Sequence, residues 1–258
     1  MTAVEVHAVV EGPDDAPVLL LSNSLGADLA MWDPQVPALT EHFRVVRYDT
    51  RGHGRSPVPA GDSTIDDLAD DVVALLDRLG VAEAHVAGLS IGGMTGLRLA
   101  VRDPQRVRTL AVLCSSAYTG NAQTWRDRAH TVRTEGTGAI ADAVISRWFT
   151  PGYAAANPDL IARLRATFAA HPDEGYASCC AAIAGMDQRA DLARITVPTL
   201  VVSGAEDPAL PPEHQQAIAD GIPGARLLSL SPAAHVANVE QPQQVTDALI
   251  AHATGGTA

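Results

Sequence analysis

A chain of 258 residues, 47% of them apolar, can bury a sizeable core and is too apolar to remain disordered. Its formal charge of -12 argues against nucleic acid or an anionic membrane as the main partner. All 18 cationic side chains are arginine, which excludes Schiff-base chemistry on lysine and a P-loop lysine. Cys114, Cys179 and Cys180 are too few, and wrongly spaced, for a disulfide framework or a metal set. The first residues lack the basic-then-apolar pattern of a signal peptide, and no apolar run reaches the roughly 18 residues of a membrane span. A cytoplasmic location is the expectation.

In chain order, residues 4–10 alternate loosely and predict an edge strand. Residues 18–22 form a continuous apolar run, the pattern of a parallel strand buried on both faces, and lead into Asn23-Ser24-Leu25-Gly26. Residues 43–48 predict a second such strand, followed by the turn-rich Asp49-Thr50-Arg51-Gly52-His53-Gly54-Arg55-Ser56. Residues 64–79 predict the clearest helix. Ile65, Leu68, Val72, Leu75, Leu76 and Leu79 share one face, Thr64 and Asp67 form a capping box, and Gly80 is the stop. Residues 84–87 predict the strand before Gly88-Leu89-Ser90-Ile91-Gly92, and a helix begins immediately after. Further strands are predicted at 108–113, 197–203 and 225–230, and a closing helix at 241–253.

Strands thus alternate with helices on either side of Ser90, the pattern of an α/β parallel sheet covered on both faces. Between Tyr118 and Ala184 no strand is predicted. Ile140, Val144, Ile145, Leu160, Ile161, Leu164 and Phe168 there follow helical spacing instead. We therefore divide the chain into core residues 1–117, a helical cap over 118–184, and core residues 185–258. The cap holds six arginines and six acidic residues, so the rest of the chain carries the whole net charge. A neutral, arginine-bearing lid suits an anionic ligand.

Glycine two residues to either side of a serine between strand and helix is the nucleophile-elbow pattern. The turn is so tight that flanking side chains would clash, and it holds Ser90 at its tip, the hydroxyl clear of the sheet and at a helix N-terminus. A serine needs a base, and this arrangement supplies partners in the order serine, acid, histidine. The strand at 197–203 leads to Gly204-Ala205-Glu206-Asp207-Pro208, where Glu206 and Asp207 compete. Asp207 is preferred, lying three residues beyond Gly204 and before Pro211-Pro212. His235 follows the last strand in a short loop. Of the other histidines, His7, His42, His171, His214 and His252 are expected in solvent, while His53 ties down its loop and His85 opens the elbow strand. Ser90, Asp207 and His235 predict acyl transfer, with the backbone N–H groups of Leu25 and Ile91 as the oxyanion hole.

At these residues, and over nearly its whole length, the chain resembles the α/β-hydrolase superfamily. Leu21-Ser22-Asn23-Ser24-Leu25-Gly26 with Met31-Trp32 resembles the oxyanion-loop segment of 3-oxoadipate enol-lactonases. So do Arg147-Trp148-Phe149-Thr150-Pro151, Gly175-Tyr176-Ala177 and Cys180-Ala181-Ala182 in the cap. Most members of the superfamily carry His-Gly where this chain has Asn23-Ser24. The resemblance implies an α/β-hydrolase fold, a mostly parallel sheet flanked by helices with a helical cap. It also implies hydrolysis of 3-oxoadipate enol-lactone in the β-ketoadipate pathway, with no cofactor and no metal. The substrate is a small anionic lactone, so Arg128 and Arg147 are the candidate carboxylate partners and Trp125 and Trp148 the candidate walls. Alternatives that share the triad are a general carboxylesterase or perhydrolase, a C–C bond hydrolase, and a non-catalytic receptor on the same scaffold.

Overall fold

A computed structural model describes residues 3–256. The first half runs β1 (Ala8–Glu11), β2 (Val18–Ser22), α1 (Val36–Leu39), β3 (Arg44–Tyr48), α2 (Ile65–Arg78), β4 (Ala84–Leu89), α3 (Ile91–Arg102) and β5 (Val107–Leu113). Five helices follow without a strand: α4 (Ala122–Glu135), α5 (Ala141–Ile145), α6 (Pro151–Ala156), α7 (Pro158–Ala169) and α8 (Asp173–Ala184). The chain then returns through β6 (Thr199–Gly204), α9 (Pro212–Gly221), β7 (Arg226–Leu230), α10 (Ala237–Glu240) and α11 (Pro242–Thr254). No helix among the described residues is long and apolar enough to cross a membrane.

The seven strands lie in the order β1-β3-β2-β4-β5-β6-β7. Only the edge strand β1 is antiparallel to its neighbour; every other pairing is parallel. Period-two alternation sends side chains to two separate cores. Leu19 and Leu21 face one cluster, shared with Leu39 of α1, Leu249 of α11 and the cap residues Trp148 and Phe168. Leu20 faces the other, shared with Val72 and Leu75 of α2, Leu97 of α3 and Ile218 of α9. Both faces are covered, which is why β2 and the middle of β6 read as apolar runs without polar alternation.

Helix α2 carries the anticipated cap. The Thr64 hydroxyl accepts the Asp67 N–H, and the Asp67 carboxylate accepts the Thr64 N–H at 2.8 Å. Gly80 follows with φ +67. The first strand is a correction: it spans Ala8–Glu11, not 4–10. The preceding residues leave the ladder for side-chain acceptors, Val4 N–H donating to Asp71 and His7 N–H to Ser56. The other strands lie within two residues of the predicted bounds.

Two histidines expected in solvent are buried. His171 lies against His53 with ring centroids 4.9 Å apart, and His252 Nε2 lies 3.0 Å from the Leu110 carbonyl. Their cover comes from packing of the cap and of α11 onto the sheet, which helical periodicity alone does not report.

Candidate active site

The elbow is built as its glycines require. Ser90 has φ 58 and ψ -118, a region that L residues seldom occupy. A Cβ on Gly88 would sit 2.2 Å from the Gly92 carbonyl oxygen, and one on Gly92 would sit 2.4 Å from that of Ser22. No side chain fits at either place. Ser90 N–H donates to the Leu113 carbonyl of β5, and its own carbonyl accepts from Ser115 Oγ at 2.6 Å. The turn is therefore tied to the neighbouring strand.

The Asn23–Gly26 loop lies beside it. Gly92 N–H donates to the Asn23 carbonyl at 3.1 Å, joining this loop to the first turn of α3. Asn23 Nδ2 donates to the Tyr48 carbonyl, and Asp49 Oδ1 accepts the Leu29 N–H. The loop after β3 thus braces the loop after β2. Its own anchor is a buried bidentate pair, Arg51 Nε and Nη2 each 2.6 Å from an Asp71 oxygen. Among the described residues, neither the Leu25 nor the Ile91 N–H meets an acceptor.

Asp207 is buried in the loop after β6, whereas Glu206 is exposed. Asp207 Oδ1 accepts the N–H groups of Ala209 and Leu210 at 2.8 and 3.0 Å. Its Oδ2 lies 2.8 Å from His235 Nδ1. Three contacts thus fix the orientation of the carboxylate, two from the backbone and one from the imidazole. The His235 loop is held from several sides. Val236 N–H donates to the Trp148 carbonyl at 2.9 Å. The buried Glu240 carboxylate accepts from Ala234 N–H at 2.9 Å and from the N–H and hydroxyl of Thr150. Asn238 and Gln35 bond to each other and to the Met31 and Asn238 carbonyls.

Ser90 and His235 line one cavity. The Ser90 hydroxyl and the imidazole face this same space without a direct hydrogen bond between them. All the residues anticipated from sequence except Asp207 and Ile91 line this space, and those two sit directly behind it: Leu25, Trp125, Arg128, Arg147 and Trp148. The Arg128 guanidinium stacks over Trp125 at 4.5 Å, Arg147 is exposed at the mouth, and Trp148 is buried. Neither arginine pairs with a carboxylate among the described residues, and no acidic residue lines the cavity.

Ser24, Met94, Val144, Tyr176, Ala209 and Leu210 also line it and were not singled out from sequence. Met94 carried a usable signal, since one helical turn after Ser90 it must share the serine's face. Tyr176 is fully buried with its hydroxyl beside the Arg128 guanidinium; burial raises its pKa, and the charge and hydrogen bonding of Arg128 oppose that rise. Cys114 is buried and its thiol pKa is raised by burial and by Asp207, so it is no rival nucleophile.

The family model described as the alpha/beta hydrolase fold matches residues 17–242. The chain belongs to that family. This α/β hydrolase is 42% identical over 246 residues to 3-oxoadipate enol-lactonase 2 of Acinetobacter baylyi, covering 95% of this chain and 92% of the relative. Its structure matches that of an enol-lactonase from Burkholderia xenovorans with TM-score 0.95 and 44% identity, covering 97% of each chain. A thermophilic esterase from Thermogutta terrifontis, with malate bound, matches with TM-score 0.90 and 31% identity over 96% of this chain and 92% of that one.

Proposed function

We propose that this α/β hydrolase opens 3-oxoadipate enol-lactone to 3-oxoadipate, with Ser90, His235 and Asp207 as its catalytic triad. The observation that carries the reading is the 2.8 Å contact between His235 and Asp207 at a cavity that Ser90 shares with two guanidinium groups and no acid. An anionic ligand meets complementary charge there, whereas an apolar ester would leave both arginines unused. The similarity to named enol-lactonases supports the same substrate.

The Ser90 oxygen attacks the lactone carbonyl carbon while His235 Nε2 takes its proton. Asp207 holds the other ring nitrogen protonated and stabilises the imidazolium. The carbonyl oxygen becomes an oxyanion between the N–H groups of Leu25 and Ile91, each worth about 3–4 kcal/mol to the transition state. The ring C–O bond breaks, His235 returns the proton to the departing enol oxygen, and the enol relaxes to the ketone. Water then attacks the acyl-enzyme with His235 as base, releasing the carboxylate and regenerating Ser90.

The experiment follows loss of lactone absorbance beside a panel of neutral p-nitrophenyl esters, in the wild type and in Arg128→Leu. The lactone has the higher kcat/KM in the wild type, and Arg128→Leu lowers it about tenfold or more relative to the neutral esters. Equal or better turnover of neutral esters, insensitive to Arg128, makes the protein a general carboxylesterase.

A further inference from the structure

A second cavity lies behind the first. It has a volume of about 500 Å³ and runs between α7, α10 and the Gly26–Pro34 segment, with a mostly apolar lining that includes Met31, Leu160, Leu164 and Val239. Trp148 lines both cavities, and no other residue is shared between them. Two chain segments also pass between the cavities. Leu25 and His235 face the first space, and their chain neighbours Gly26 and Val236 face the second.

We infer that the Trp148 side chain is the partition that confines this hydrolase to small acyl groups, and that the space behind it takes an extended apolar acyl chain once the partition is opened. The wall is rigid. The Trp148 carbonyl accepts the Val236 N–H at 2.9 Å, and its ring meets Phe168 edge-on with centroids 6.3 Å apart. Phe168 cannot yield, because it is fully buried and fills the space where Gly26 lacks a Cβ; a Cβ there would lie 2.3 Å from the phenylalanine ring. The indole is therefore locked between the His235 loop and the oxyanion loop, where its removal joins the two cavities beside Ser90. This inference rests on the hydrolytic reading of the site and not on the identity of the lactone.

The test measures kcat/KM for p-nitrophenyl acetate, butyrate and octanoate. Trp148→Ala raises the octanoate-to-acetate ratio about tenfold or more, since each methylene seated in apolar space favours binding by about fourfold. Trp148→Phe keeps most of the wall and stays within about threefold of the wild type. Leu164→Trp, which partly fills the second cavity, leaves the ester series of the wild type unchanged but reduces the gain in the Trp148→Ala background. Far-UV circular dichroism verifies folding, and Trp148→Leu makes a smaller opening if the alanine variant does not fold. An unchanged ratio in a folded Trp148 variant overturns the inference, as does a gain that filling does not reduce, or an effect of Leu164→Trp alone. A failure of the lactone assignment appears only on the lactone and leaves this ratio intact.

Discussion

Asp207→Asn separates the charge and tautomer control of Asp207 from its structural work. Oδ1 holds two backbone N–H groups at 2.8 and 3.0 Å, and Oδ2 faces His235 Nδ1 at 2.8 Å. Asparagine has the same shape but must choose an orientation. Turning its NH2 toward Ala209 and Leu210 would set donors against two donors, at about 1–3 kcal/mol each. The amide oxygen therefore stays on the backbone side and the NH2 faces His235. The imidazole then accepts at Nδ1 and carries its proton on Nε2, where it can no longer take one from Ser90. That tautomer error is worth about 10⁴ in kcat, or roughly 5.5 kcal/mol. Steady-state turnover of the lactone and of p-nitrophenyl acetate both fall by this factor. The thermal midpoint stays near that of the wild type, because the loop bonds survive. Asp207→Ala loses the rate and also destabilises the fold by about 2 kcal/mol or more, since two N–H groups lose their acceptor. Asparagine within tenfold of wild-type turnover, or alanine as stable as asparagine, refutes the reasoning.

Glu240→Ala strips the acceptor from Ala234 N–H and from Thr150, and urea unfolding should record a loss of about 2–4 kcal/mol, with Glu240→Gln losing less. Equal midpoints for wild type and Glu240→Ala would show that this carboxylate does not strap the cap to the His235 loop. The second prediction concerns pH. Burial, with His171 adding to it, lowers the His53 pKa from 6.5 to about 3. Below pH 6.5 the unfolded chain binds a proton at this position that the folded chain refuses. The stability linked to His53 is thus complete above pH 6.5 and is lost progressively as pH falls toward 3, at about 1.4 kcal/mol per pH unit. Between pH 7.5 and 4.5, urea unfolding of His53→Gln should therefore lose about 2–3 kcal/mol less than the wild type. Identical pH dependence in the two proteins would dismiss His53 as a contributor.

What the sequence determined by itself is whatever neighbours along the chain decide. The capping box of Thr64 and Asp67, the apolar runs of β2 and the middle of β6, and the glycines around Ser90 are local demands of backbone geometry, so they are legible in a single chain. The chain order of Ser90, Asp207 and His235 was readable because each follows a strand, and parallel strands deliver their C-terminal ends to one rim. Only the tertiary structure set Asp207, and not Glu206, against His235, since that contact depends on where His235 arrives from β7. It alone buried His171 and His252, whose cover belongs to distant segments. It also brought Glu240 onto Thr150 across 90 residues of sequence, and set Trp148 between two cavities. Local propensities act over a few residues, whereas burial and side-chain partnership depend on which surfaces meet after the chain has closed on itself.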